Sequence, residues 1–172
     1  MVDFEVIELS ETDHVAEGDV APDFTRPLVG DEYWEDRSLS EFTDEGPVLL
    51  VFATMDGAFP ATYMWNALRD RGLGAHLPVL GVSISTPYEH KEFVAERGTD
   101  YRLFSDPAAD LADSYGVAHD LDGMTGVVEH RPAVFVVDGD RTVEYAWVAA
   151  EWPEFPDYDE VEAAVERVAG SD

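Results

Sequence analysis

The chain of 172 residues contains no cysteine. This absence excludes disulfide bonds, thiolate metal sites and every reaction that begins with attack by a sulfur nucleophile. It does not point to a cellular compartment, because a chain without cysteine is indifferent to the local redox potential. The remaining sulfur belongs to four methionines, whose thioether can be oxidised but returns only with the help of a separate reductase.

Positive charge is also scarce. Ten Lys and Arg residues stand against 38 Asp and Glu residues, a formal net charge of −28, and Lys91 is the only lysine. Such a surface repels phosphate backbones and anionic lipid headgroups, so we expect neither nucleic acid nor a membrane as a partner. Carboxylates spread along the chain stay hydrated where concentrated salt screens their repulsion. The composition therefore predicts a protein of a salt-loaded cytoplasm, destabilised by low salt.

Long apolar runs are missing as well. The longest strongly apolar run covers residues 48–53, whereas a membrane helix needs about 20 apolar residues. The first basic residue is Arg26, so no basic segment precedes an apolar stretch as in a signal peptide. We expect one soluble domain over residues 1–172, with residues 1–17 as an N-terminal extension, because this length is typical of one domain.

Apolar runs alternate with helical patterns along the chain, which is typical of an α/β sheet. The predicted strands cover residues 48–53, 78–84, 101–104, 133–137 and 143–148. The predicted helices cover residues 60–71, 86–97, 106–115 and 157–170. Thr86-Pro87-Tyr88-Glu89 supplies an N-cap, a proline at the first helical position and a capping-box Glu. The order predicts a mixed sheet with helices on both faces.

Four short motifs appear in a characteristic order. They are Gly18-Asp19-Val20-Ala21-Pro22-Asp23-Phe24, Leu80-Gly81-Val82-Ser83 with His90-Lys91-Glu92-Phe93, Leu103-Phe104-Ser105-Asp106-Pro107 with residues 112–117, and Arg131-Pro132 followed by the strand to Asp138. In this order and spacing the chain resembles the peroxiredoxin (AhpC/TSA, redoxin) branch of the thioredoxin fold. The resemblance covers nearly the whole chain, implies a thioredoxin-like mixed sheet, and makes this sequence a cysteine-less, haloarchaeal-type member.

The resemblance also implies where a catalytic site would lie. Peroxiredoxins carry a Pro-x-x-x-Thr-x-x-Cys loop at the start of the helix after the first central strand, together with an arginine. Asp70 matches an acidic residue that commonly follows the catalytic Cys by nine positions. This register places Thr54 at the Pro position, Ala58 at the Thr position and Ala61 at the Cys position, and Arg131 alone is retained. A rival register matches Thr62 to the Thr and Trp65 to the Cys; neither register supplies sulfur.

Three functions follow as hypotheses. The first is a catalytically silent peroxiredoxin-like binding or interaction module that pairs with itself or with a paralogue. The second is an antioxidant oxidoreductase that reduces hydroperoxides by a non-thiol route, for which Met55 and Met64 are candidates, although we interpret both as core residues. The third is a small-molecule or anion binder near Arg131; a structural ion pair of Arg131 with a carboxylate stays open as its alternative.

The remaining predictions concern a metal site, the conformation of one proline peptide bond and a protein interface. We expect no cofactor and no metal, and interpret His119, Asp120 and Asp122 as part of a solvated loop rather than a cation site. Pro132 is expected at the cis-proline position of thioredoxin folds. Aromatic residues flank the former catalytic turn and the C-terminal hairpin, and we interpret most of them as core, with a dimer face or an apolar pocket as the alternatives: Phe59, Tyr63, Trp65, Trp147, Trp152 and Phe155.

Overall fold

The computed structural model describes residues 6–30, 33–97, 101–119 and 124–170. Its strands are β1 (Ile7–Glu8), β2 (Thr25–Val29), β3 (Trp34–Ser38), β4 (Val48–Phe52), β5 (Val79–Ser83), β6 (Arg102–Ser105), β7 (Ala118–His119), β8 (Glu129–His130), β9 (Ala133–Val137), β10 (Val143–Val148) and β11 (Glu151–Trp152). Its α-helices are α1 (Leu39–Thr43), α2 (Phe59–Asp70), α3 (Pro87–Arg97), α4 (Asp110–Tyr115) and α5 (Tyr158–Ala169).

Seven strands form the main sheet, in the order β10-β9-β4-β5-β6-β2-β3. The β4–β5 and β5–β6 pairs are parallel, whereas β4–β9, β9–β10, β2–β6 and β2–β3 are antiparallel. Every residue of β4, β5 and β9 is buried. Continuous apolar strands of this kind are expected where both faces of a sheet are covered.

The alternation of side chains along β4 divides the core into two layers. Leu49 and Val51 pack with α2, α3 and α5, while Leu50 and Phe52 pack with α1 and α4. The two layers follow from the two-residue period of a strand, which sends successive side chains to opposite faces. The mixed thioredoxin-like sheet with helices on both faces is therefore confirmed.

Gly81 lies at a point of close approach between β5 and its neighbours. A Cβ at this position would lie 2.5 Å from the Leu103 side chain and 2.5 Å from the Trp65 ring. Trp65 fills this space with 5% of its surface exposed and stacks 5.8 Å from Tyr101. The glycine of the Leu80-Gly81-Val82-Ser83 motif thus makes room for a large core side chain of α2.

Helix boundaries follow the predicted capping signals with one exception. The Thr86 N–H donates to Glu89 Oε1 at 2.9 Å, as the capping box at the start of α3 predicts. Asp106-Pro107 was expected to open the next helix, but α4 begins at Asp110. The prediction was wrong because the Asp106 carboxylate is buried and accepts hydrogen bonds from the Leu111 N–H and from His130.

The part of the N-terminal extension that the structure describes, residues 6–17, lies against the core. Ile7 pairs with Trp152 across the β1–β11 ladder, and the Leu9 N–H donates to the Ala150 carbonyl at 2.8 Å. Val15 is buried and its N–H donates to the Tyr115 carbonyl at 3.0 Å. This segment consequently covers the end of the sheet at which β9 begins. None of the helices in the described ranges has the length and apolar character needed to cross a membrane.

Candidate functional site

Thr54 and Arg131 lie just beyond the same end of the β4–β9 ladder. Phe52 pairs with Ala133 in this antiparallel ladder. Counting two residues onward from Phe52 and two back from Ala133 brings Thr54 and Arg131 to opposite positions. Both residues are buried, with exposed fractions of 1% and 3%. The fold thus places these two positions of the predicted site at the same end of the sheet.

Ala58 and Ala61 lie at the start of α2. Ala58 is the N-cap residue in extended conformation, and Ala61 lies in the first turn with 1% of its surface exposed. The first turn of a helix presents free N–H groups and a positive dipole end, which would stabilise a thiolate placed there. The Ala61 methyl group carries neither charge nor lone pair. The free N–H groups and the positive end of the helix dipole therefore have no reactive group to stabilise at Ala61.

The rival register falls elsewhere on the same helix. Thr62 follows Ala61, and Trp65 lies one turn further along α2, buried among core side chains. Met64 is also buried, with 1% exposure, and Met55 is half-buried in the loop between β4 and α2. A Cys at the Trp65 position would lie in the middle of the helix, away from the free N–H groups of its first turn.

The loop that carries the former site positions is tied to three other elements. The Met55 N–H donates to Glu129 Oε1 at 3.0 Å, and the Asp56 N–H donates to Ser85 Oγ at 2.8 Å. The His90 ring donates from Nδ1 to Asp56 Oδ2 at 2.7 Å. These bonds fix residues 54–58 against β8, the end of β5 and α3.

The Asp56–His90 pair was not among the residues expected at the site, and its two members lie 34 positions apart in the chain. A signal was available, because His90, Phe93 and Val94 share the spacing of one helical face and all three are buried. A histidine on a buried face requires hydrogen-bond partners, and Asp56 provides one.

Arg131 is held by carbonyl groups rather than by carboxylates. Its Nη1 donates to the Ser10 carbonyl at 3.1 Å and to the Ala149 carbonyl at 3.3 Å. Burial lowers the pKa of the Arg131 guanidinium from its ordinary value. Among the described residues no carboxylate lies within ion-pair distance of it, so the structural ion pair left open by the sequence is not found there.

Three buried polar atoms at this end of the sheet lack a hydrogen-bond partner among the described residues. They are Thr54 Oγ1, His130 Nδ1 and Arg131 Nε. Buried polar atoms are nearly always paired in native proteins, so an orphan marks a place where function or a ligand is to be considered. Their shared location is the strongest chemical feature of the predicted site.

A cavity of about 300 Å³ lies beside Arg131. Its walls are residues 9–12 and His14 of the N-terminal segment on one side and residues 148–150 on the other. Among the residues described, Thr54, Ala58 and Ala61 do not line it. The cavity consequently opens on a different side of Arg131 from the former catalytic turn.

The structure tests the expected cis bond before Pro132. The Arg131–Pro132 bond is trans, and the cis bond among the described residues is Trp152–Pro153. The cis expectation for Pro132 was wrong, since the strand pairing continues through this bond: the Arg131 N–H donates to the Val117 carbonyl and the Pro132 carbonyl accepts from Ala149.

The loop once considered for a cation lies partly outside the described residues. Asp120 and Asp122 fall in the range 120–123, which is not described, and His119 pairs with Glu129 across the β7–β8 ladder. Within the described ranges, no group of three His, Asp or Glu side chains is arranged to hold a metal ion.

Four aromatic rings form a continuous cluster next to the start of α2. Phe59 lies 6.3 Å from Tyr63 and 6.4 Å from Trp152, and Tyr63 lies 6.4 Å from Phe155, as distances between ring centroids. Tyr63 is 63% exposed and Phe155 is 38% exposed. Trp65 belongs to the core instead, and Trp147 packs partly buried on β10. The aromatic residues therefore divide between core and surface.

Comparison with known proteins decides the family. Residues 17–146 match the AhpC/TSA family. The chain belongs to this family. It is 29% identical over 160 residues to the thiol peroxidase of Staphylococcus aureus strain COL, with 90% of each chain covered.

Solved structures of this family resemble the fold closely. Peroxidoxin BcpB from Mycobacterium tuberculosis superposes with a TM-score of 0.74 at 26% identity, covering 90% of this chain and 99% of that one. The thiol peroxidase from Chromobacterium violaceum superposes with a TM-score of 0.72 at 25% identity, covering 90% and 88%. This AhpC/TSA-family chain, which contains no cysteine, thus shares its fold with a protein that is named a thiol peroxidase.

Proposed function

We propose that this AhpC/TSA-family protein lacks thiol peroxidase activity and acts as a binding or interaction module. One observation carries the proposal: Ala61 places a buried methyl group at the first turn of α2, in a chain without any cysteine. Covalent catalysis needs a nucleophile that forms and then releases a bond to the substrate. An alanine methyl cannot do so, and the whole step is lost rather than slowed.

The neighbouring side chains do not replace the thiol. The Thr54 hydroxyl is buried, and no base that would activate it lies within hydrogen-bond distance among the described residues. Met64 is enclosed in the core, and oxidation of Met55 would consume one peroxide per chain until a separate reductase acted. A non-thiol peroxidase is therefore the weaker hypothesis for this site.

A peroxide-consumption assay tests the proposal. The purified protein is incubated with hydrogen peroxide and either dithiothreitol or a thioredoxin system, with a cysteine-containing thiol peroxidase as the positive control. We expect consumption equal to that of buffer after at most a few equivalents. Sustained turnover by the unmodified chain would overturn the proposal.

The module that we propose spans residues 1–172 as one redoxin domain and pairs with a second copy or with a paralogue. The exposed part of the aromatic cluster formed by Phe59, Tyr63, Trp152 and Phe155 supports such an interface, because aromatic anchors are enriched in protein interfaces. Light scattering in concentrated KCl measures the mass. A dimer that Tyr63→Asp dissociates is expected, and a monomeric mass for the unmodified chain would remove the self-pairing proposal.

A second candidate function is the binding of an anion or small molecule near Arg131. It is favoured by a buried guanidinium that has no carboxylate partner among the described residues and lies beside a cavity. A buried charge without a counter-ion is unfavourable, and a bound anion would compensate it. The acidic composition adds the proposal that the protein works in the cytoplasm of a high-salt organism.

A further inference from the structure

Arg131 differs from most other arginines of this chain in its charge environment. Seven arginines form ion pairs with carboxylates in the described ranges: Arg26, Arg37, Arg69, Arg71, Arg97, Arg141 and Arg167. These seven keep part of their side chain in contact with solvent, at 22% to 58% exposure. Arg131 is 3% exposed, and its hydrogen-bond partners among the described residues are carbonyl groups. It is thus a buried cation that has no carboxylate counter-ion in the described ranges.

The cavity beside Arg131 combines this cation with an apolar wall. Leu9 and Val148 contribute hydrocarbon, and Ala149 adds a buried methyl. Known ligand cavities range upward from about 300 Å³, so a cavity of about 300 Å³ suits a short ligand. A guanidinium forms two parallel hydrogen bonds to a carboxylate and favours this planar group.

The same surroundings disfavour a multiply charged ligand. Glu11 is exposed at the cavity wall, and Glu154 lies close by, accepting from the Ala150 N–H at 2.7 Å. The Thr12 hydroxyl already donates to the Gly116 carbonyl at 2.8 Å, and His14 Nδ1 is bonded to the Val15 carbonyl at 2.7 Å. Because Arg131 is one cation near the carboxylates of Glu11 and Glu154, it can compensate a ligand with a single negative charge better than a ligand with two negative charges.

We propose that the cavity between the N-terminal segment and the end of β10 binds a small aliphatic monocarboxylate. Its carboxylate contacts the Arg131 guanidinium and its hydrocarbon chain packs on Leu9 and Val148. This inference rests on the second candidate function, the anion or small-molecule site, and names the ligand class. It concerns a side of Arg131 that, among the described residues, the former catalytic positions Thr54, Ala58 and Ala61 do not line.

An NMR titration of the ¹⁵N-labelled protein in KCl at constant ionic strength tests the class. The probes are butyrate, the neutral analogue butyramide, and inorganic phosphate. We expect butyrate to shift the amide signals of residues 9–12 and 148–150 in a saturable way. Loss of the charge-assisted hydrogen bonds should make butyramide about tenfold weaker or more.

A pair of variants assigns the effect to the cavity. Ala150→Phe fills it from an exposed lining position and should abolish the butyrate shifts, whereas Ala163→Phe, at an exposed position on α5, should leave them unchanged. Butyrate without saturable shifts, or butyramide binding equally well, would overturn the inference. Phosphate shifting these amides more strongly than butyrate would overturn the monocarboxylate class while leaving an anion site. None of these results alters the peroxidase assay, so the two proposals fail separately.

Discussion

Asp56 Oδ2 accepts a hydrogen bond from His90 Nδ1 at 2.7 Å, which joins the former catalytic loop to α3. His90 Nε2 lies 3.1 Å from the Phe104 carbonyl. With exposed fractions of 1% and 8% for the two side chains, this is a buried hydrogen-bonded pair.

Removing one member of this pair should destabilise the protein strongly. His90→Gln removes the ring that donates to Asp56, and a buried acceptor left without its hydrogen bond costs about 1–3 kcal/mol. Urea unfolding followed by circular dichroism in concentrated KCl measures the loss of unfolding free energy. The control is His76→Gln, at an exposed histidine of this chain, which should change the stability by less than about 0.5 kcal/mol.

A double-mutant cycle separates the pair from its surroundings. Asp56→Asn should also be destabilising, and the variant that carries both changes should lose less stability than the two single losses added together. Strict additivity would show that the two side chains do not interact energetically, and would contradict their assignment as a hydrogen-bonded pair.

Salt should increase the stability of this protein. A net charge of −28 means that folding brings carboxylates closer together, and the screening length falls from about 10 Å at 0.1 M salt to about 3 Å at 1 M. The urea midpoint should rise steadily as KCl is raised from dilute buffer to molar concentrations. A midpoint highest in dilute buffer would contradict the proposed high-salt habitat.

A charge-reduced variant supplies the control for this salt effect. Glu92→Lys combined with Glu166→Lys changes two exposed helical positions outside the core. The variant should be more stable than the parent in dilute buffer and show a smaller gain with KCl, since less repulsion remains to be screened. An unchanged salt dependence would show that the gain does not arise from surface carboxylates.

Restoring the reactive residues should restore part of the chemistry. Ala61→Cys alone places a thiol at the first turn of α2 but in a site with 1% exposure, so we expect slow, near-stoichiometric reaction with hydrogen peroxide. Adding Ala58→Thr and Thr54→Pro supplies the missing hydroxyl, and a single well-placed donor contributes about 10²–10³ in rate. Stopped-flow measurement of thiol oxidation compares the two variants.

The unchanged Arg131 permits a control for that comparison. Replacing Arg131 with Met in the triple variant should abolish the gain if the arginine acts on the peroxide, provided that circular dichroism shows an unchanged fold. Equal rates for Ala61→Cys and the triple variant would contradict the assignment of Ala58 and Thr54, and would favour the rival register at Thr62 and Trp65.

The elements of the sheet core could be predicted because local sequence determines them. The strands β4, β5 and β9 are continuous apolar runs, and α3 and α5 begin at capping residues that act within four positions along the chain. β2 and β3 were not predicted, since Arg26, Pro27 and the charged Glu35–Arg37 stretch obscure the strand pattern. Their stability comes from pairing with each other and with β6.

Only those positions of the candidate site that follow from the spacing of the family motif could be predicted from the sequence. Thr54, Ala58, Ala61 and Arg131 could be assigned by register, and these roles stay predictions. The partners of these buried polar side chains could not be assigned, because Ser10 lies 121 residues from Arg131 and Asp56 lies 34 residues from His90. Contacts across such separations depend on the tertiary fold and leave no local pattern.

Alkaline pH should destabilise the protein through its buried tyrosines. Tyr115 is fully buried and donates to the Pro22 carbonyl at 2.6 Å, and burial raises its pKa far above the ordinary value. Burial also raises the pKa of Tyr158 to about 12, and burial together with the nearby Glu160 raises that of Tyr145 to about 12. An unfolded tyrosine ionises near pH 10. The neutral form is therefore favoured in the folded state.

The sign of the effect follows from these shifts. A group whose pKa is higher in the folded protein contributes its full stability below the unfolded value and loses it as the pH rises through the folded value. We expect a constant urea midpoint from about pH 8 to 9 and a steady fall from about pH 10 to 12. Tyr158→Phe removes one of these groups and should make the fall less steep, while tyrosinate absorbance follows the ionisation directly. Parallel curves for Tyr158→Phe and the parent over this range would show that Tyr158 ionises equally in both states, against the burial seen here.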